Sequence, residues 1–149
     1  MRTMHAALAE VARHLGLTQI LPDADGFAEL LVEEGFSVFM RTVDDGAVEL
    51  SARLPEFDGR LSLPVLEALM RWNGRFHGLR FAVDRDRNGV VLGRRVDLGP
   101  EEPSELPRTV EAFILSVADW RRSGADTLLQ SVIRHEEADF ASQMSGLRL

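Results

Sequence analysis

Apolar residues in the first half of the chain recur with two different periods. An i, i+3, i+4, i+7 spacing predicts a helix over residues 4–15. Alternation of apolar and polar residues then predicts three strands, over residues 27–32, 36–43 and 47–54. In the third strand every second residue from Val48 to Leu54 is apolar. Such alternation is typical of an antiparallel sheet with one covered face and one open face.

A helix that begins near residue 63 is apolar on two sides. One of its two stripes consists of Val65, Leu69, Trp72 and Phe76. A single domain needs only one apolar stripe on such a helix to close its core, so the second stripe needs a cover of its own. Two interpretations stay open, a helix packed on both sides within the monomer and a helix that builds a dimer.

The rest of the chain predicts a hairpin and a final helix. Strands near residues 79–83 and 90–96 flank a turn at Asn88-Gly89. The last helix begins near residue 106, and its periodicity is weak from about residue 136, where we expect fraying. The order α-β-β-β-α-β-β-α predicts an α+β fold with a five-stranded, mostly antiparallel sheet, in one domain spanning 1–149.

Charge and composition narrow the class of partner. The net charge is −7, whereas nucleic acids and anionic membranes attract basic surfaces. There is no cysteine, no signal-peptide pattern and no run of about 18 apolar residues that could span a membrane. We therefore expect a cytoplasmic protein, with no nucleic acid and no membrane insertion among its partners. A basic or apolar partner segment is compatible with this charge.

No motif for catalysis or metal binding appears in the sequence. The four histidines form no pair at metal-ligand spacing, and the common nucleophile and phosphate-binding motifs are absent. Asp84-x-Asp86-x-Asn88 matches the start of a calcium loop, but Arg95 stands where the bidentate Glu belongs. We interpret this segment as a hairpin turn and expect neither enzymatic activity nor a metal or other cofactor.

The order of elements resembles a known family, the class I type III secretion chaperones. The resemblance covers roughly residues 4–125 and is most specific in Leu66–Asn73, Gly78–Asp84 and Asn88–Leu92. It implies a cytoplasmic homodimer without enzymatic activity. Such chaperones hold the N-terminal segment of a secreted effector in extended form, by strand addition and by filling of apolar grooves.

The resemblance also implies two sets of site residues. Effector-binding positions are Leu8, Val11, Leu15, Leu31 and Phe39. Dimer-interface positions are Leu69, Trp72, Phe76, Leu79 and Phe81. The alternative for all of these is monomer core; Leu31 and Phe39 favour the groove, because they lie opposite the cleanly alternating strand faces. The second functional hypothesis is a bacterial regulatory or sensory interaction module of the same fold, and an enzyme or small-molecule binder comes third.

Overall fold

The computed structural model describes residues 4–16, 27–32, 35–43, 46–73, 78–97 and 105–145. The helices are α1 (Met4–His14), α2 (Leu63–Asn73), α3 (Glu105–Asp119) and α4 (Ala125–Ser145). The strands are β1 (Phe27–Val32), β2 (Phe36–Thr42), β3 (Ala47–Leu54), β4 (Leu79–Asp84) and β5 (Gly89–Asp97). A short 3-10 turn, Pro55–Phe57, follows β3. The expected α+β order is confirmed.

All five strands form a single sheet in the order β1-β2-β3-β5-β4, and all four pairings are antiparallel. Three of these pairings join strands adjacent in sequence. The exception is the pairing of β3 with β5, which places the hairpin β4–β5 beside β3 after the chain has passed through α2. The edges of the described sheet are therefore β1 and β4.

One face of the sheet carries the core. In β3 the expected alternation is confirmed, since Val48, Leu50 and Leu54 are fully buried while Glu49 and Arg53 are only half-buried. Helices α1 and α3 pack together over this core, and their buried residues include Leu8, Val11, Leu106, Val110, Phe113 and Val117. The opposite face of the sheet, which we call the open face, carries mainly polar, charged and small residues.

A polar side chain caps the first turn of α2. The Ser62 hydroxyl accepts a hydrogen bond from the Val65 N–H at 3.4 Å, which satisfies one of the free donors in the first turn. The helix is described to Asn73, and its predicted continuation to Phe76 lies outside the described residues. The β4–β5 turn is a hairpin, as predicted, with Asn88 in the left-handed region at φ 49°.

The C-terminal part differs from the expectation. Between α3 and α4 the chain stays helical through a π-turn, Trp120–Gly124. Helix α4 then continues to Ser145, where the sequence pattern predicted fraying from about residue 136. Its residues lack Gly and Pro and include many strong helix formers, so propensity can support the helix where the apolar periodicity is weak.

Candidate partner-binding surfaces

The first candidate surface lies at the β1 edge of the open face. Leu31 is 75% exposed, whereas Ala28 and Leu30 on the other side of the same strand are buried. Phe39 on β2 is half-buried and pairs with Glu29 across the two strands. Leu31 and Phe39 thus lie on the same open face, as predicted, within reach of a partner at this edge.

The neighbours of Phe39 on the open face have small or charged side chains. Phe39 pairs with Ser51 on β3, which in turn pairs with Gly93 on β5. Along the same face the Arg41 guanidinium lies 3.4 Å from the Glu49 carboxylate. An apolar patch at one edge, bordered by small and charged residues, is suited to a segment that combines apolar and polar side chains.

Three further residues of the predicted effector-binding set lie elsewhere. Leu8 and Val11 are 1% and 0% exposed and belong to the core, which is the alternative that the sequence left open. Leu15 is partly buried and packs against the same cluster. A bound segment could contact Leu8 or Val11 only if α1 moved away from the sheet.

Two of the predicted dimer residues, Trp72 and Phe81, form an aromatic cluster with Trp120. The Trp120 ring is 5.2 Å from the Trp72 ring and 4.8 Å from the Phe81 ring, both in edge-to-face geometry. Leu69 is 4% exposed, so it is buried within the monomer. Leu79, Trp72 and Phe81 are partly buried against the core, and Phe76 lies outside the described residues.

The part of the α2 stripe that contains Leu69 and Trp72 is therefore covered within the monomer. Helix α4 and the π-turn pack beside α2, and Trp120 supplies the aromatic contact to Trp72. Local periodicity could not indicate this cover, because Trp120 lies 48 positions from Trp72 in the chain. A groove of about 850 Å³ remains between α2, β4, the π-turn and α4, lined by residues that include Arg71, Leu128 and Val132.

Large apolar side chains that were absent from the predicted set also lie exposed on α2 and β4. Leu63 and Met70 on α2 are 68% and 71% exposed, and Val83 on β4 is 49% exposed. Leu63 and Met70 are seven positions apart, so they share one face of the helix. The signal was present in the sequence as a helix that is apolar on two sides.

The end of α2 is joined to the backbone of β4. The Asn73 amide nitrogen donates to the Phe81 carbonyl oxygen at 3.2 Å, and the Asn73 amide oxygen accepts from the Phe81 N–H at 2.6 Å. One side chain thereby satisfies both backbone groups of a residue on an edge strand.

The acidic residues near the β4–β5 turn serve local structure. The Asp84 carboxylate accepts a hydrogen bond from the Asp86 N–H at 3.1 Å and lies 3.9 Å from the Arg53 guanidinium. In the described part of the chain no group of three or more His, Asp or Glu side chains is arranged to hold a metal ion. Within those same residues no helix is both long and apolar enough to cross a membrane.

A family model matches most of the chain. The model is that of the Tir chaperone protein (CesT) family, and it matches residues 6–121. The chain belongs to this family. The membership confirms the resemblance found in the sequence, and the family is one of chaperones. The match ends at the π-turn, so α4 lies beyond it.

Solved structures support the same fold. The ExsC–ExsE complex contains a chain with 22% identity and a TM-score of 0.66, covering 80% of this chain and 91% of that one. The HopA1–SchA chaperone–effector complex gives 13% identity, a TM-score of 0.63, and coverage of 78% and 91%. The Yersinia pestis type III secretion chaperone SycH, in complex with a YscM2 fragment, has 16% identity and a TM-score of 0.59, covering 78% of this chain and 98% of that one. No curated protein has a sequence similar enough to match.

Proposed function

We propose that this protein is a type III secretion chaperone that binds the N-terminal segment of a secreted effector in the cytoplasm. It holds that segment extended and competent for secretion, and it works as a homodimer without catalysis or a cofactor. Family membership supports the chaperone role, and the similar HopA1–SchA structure is a chaperone–effector complex. The observation that carries the proposal is the exposed Leu31 on an edge strand beside half-buried Phe39.

An edge strand with an exposed apolar residue suits an extended partner. The backbone of such a partner can pair with β1, an edge strand of the described sheet, while its side chains cover Leu31 and Phe39. Complete burial of a leucine side chain contributes about 1.5–3 kcal/mol. Two such anchors and a ladder of main-chain hydrogen bonds account for binding without a deep pocket.

The dimer is proposed to form on the α2–β4 side. Leu63, Met70 and Val83 supply exposed apolar surface there, next to the partly buried rings of Trp72 and Phe81. Obligate homodimer interfaces are apolar and commonly bury more than about 2,000 Å². The two proposed surfaces use opposite edges of the sheet, so an effector at β1 and a second copy at β4 do not compete.

A pull-down with matched variants tests the effector surface. The bait is this chain, and the prey is the N-terminal segment of the product of the adjacent gene. Leu31→Asp and Phe39→Asp are expected to weaken capture tenfold or more, because each places a charge in the covered patch. Leu115→Asp is the control, since Leu115 on α3 is likewise an exposed leucine, at 60%.

The outcomes are distinct. Loss of capture with Leu31→Asp and retention with Leu115→Asp, both variants unfolding cooperatively, support the proposed surface. Equal capture by Leu31→Asp and Leu115→Asp contradicts the proposed surface. Unfolding of the Phe39→Asp variant alone would assign Phe39 to the core and leave Leu31 as the deciding position.

A further inference from the structure

The two edges of the described sheet differ in the side chains that lie along them. At the β4 edge the side chain of Asn73 is bonded to both the N–H and the C=O of Phe81, at 2.6 and 3.2 Å. At the β1 edge the strand carries Leu31, which is 75% exposed. An unpaired edge is a template for a further strand, and natural sheets commonly cover or block one.

The Asn73 amide occupies the positions that a paired strand would use. In a hydrogen-bonded antiparallel pair, the N–H of the residue on the added strand donates to the C=O of its partner, and its own C=O accepts from the partner's N–H. An asparagine amide offers the same two functions, one donor and one acceptor, to Phe81. A strand approaching the middle of β4 would have to displace this side chain first.

The position of Asn73 is fixed from both sides. It is the last residue of α2, whose Leu69 is buried in the core one turn earlier. The preceding residue, Trp72, packs edge-to-face on Trp120. Because Trp120 also contacts Phe81, the helix end and the strand it covers share one aromatic cluster.

We propose that Asn73 closes the β4 edge, so that a partner strand is added to the sheet at β1 alone. The second copy then meets the α2–β4 surface through side chains rather than by continuing the sheet. This inference rests on the proposed function for strand addition itself, and it adds the direction of that addition and the residue that sets it.

The absence of cysteine from the chain makes the two edges separately testable. Glu29→Cys on β1 and Ala82→Cys on β4 each place one thiol at an exposed position of an edge strand. The probe is a synthetic peptide of alternating valine and threonine with one central cysteine. The rate of disulfide trapping under mild oxidation reports which edge the peptide pairs with.

With Asn73 intact, trapping at residue 29 is expected to be at least about tenfold faster than at residue 82. This factor corresponds to two neutral hydrogen bonds that must be exchanged before β4 can pair. Asn73→Ala is expected to raise the rate at residue 82 about tenfold. Arg71→Ala is the control from the same helix turn, and it is expected to leave both rates unchanged.

Asn73→Asp provides a second variant if Asn73→Ala unfolds. The carboxylate can accept from the Phe81 N–H but cannot donate to its C=O, so trapping at residue 82 is expected to rise. Equal trapping at both edges with Asn73 intact would overturn the inference, as would unchanged trapping at residue 82 in both variants. Trapping at neither edge in any variant would instead contradict strand addition, and with it the proposed function.

Discussion

The π-turn provides a sharp prediction about stability, because Gly124 faces the ring of Trp120. A Cβ atom added at Gly124 would lie 2.8 Å from Cε3 and 3.0 Å from Cδ2 of that ring. Neither atom belongs to a flexible chain end. The ring is also held by Trp72 at 5.2 Å and Phe81 at 4.8 Å, so it cannot move aside without disturbing the aromatic cluster.

Two effects of Gly124→Ala oppose each other. Overpacking of a filled site costs about 1–3 kcal/mol. Replacing glycine by alanine inside a helical segment contributes up to about 1 kcal/mol in the other direction. Since the crowded atoms belong to a rigid ring, we expect overpacking to win, with a net loss of about 1 kcal/mol of unfolding free energy.

Urea unfolding followed by tryptophan emission measures this loss directly. The chain has two tryptophans, and both belong to the aromatic cluster, so the signal reports the perturbed site. Gly93→Ala is the matched control, because its added Cβ would meet its nearest atom, the Leu50 carbonyl oxygen, at an ordinary 3.5 Å. A Gly124→Ala variant as stable as wild type, or more stable, would refute the reasoning.

Three further predictions follow from other contacts. Met70→Asp is expected to convert the proposed dimer to a monomer at micromolar concentration without loss of folding, since Met70 is 71% exposed. Light scattering showing the wild type itself to be monomeric would end the dimer proposal. Arg121→Met is expected to lower the free energy of unfolding in urea by about 1–3 kcal/mol, because the Glu56 carboxylate, 3.0 Å from Arg121, loses its charged partner in a half-buried site. Adding Glu56→Gln is expected to recover part of this loss. Calcium is expected to leave the melting temperature unchanged, and a rise of several degrees that disappears in Asp84→Ala would contradict the hairpin assignment.

The elements with strong local patterns could be predicted from the sequence. The bounds of β1 and β3 agree with the structure to the residue, because alternation and turn signals define both ends. The length of α4 was underestimated beyond residue 136, because an exposed helix needs no apolar stripe. Its residues from Ile133 onward are exposed, so burial imposes no periodicity on them.

The candidate surfaces were predicted less completely, for a reason that lies in tertiary packing. Alternation identified Leu31 and Phe39, because the face of a strand is a local property. The cover of Trp72 by Trp120 is a long-range contact, and the exposure of Met70 follows only once that contact has oriented α2. The bonds from Asn73 to Phe81 likewise depend on how α2 returns to the sheet.

The most direct test of the chaperone proposal is the mass of the native complex. Co-expression with the N-terminal segment of the adjacent gene's product, followed by size exclusion with light scattering, is expected to give one species containing two copies of this chain and one effector segment. The segment is expected to be released only when this chain unfolds. Recovery of this chain alone, as a monomer and with no bound segment, would contradict the account.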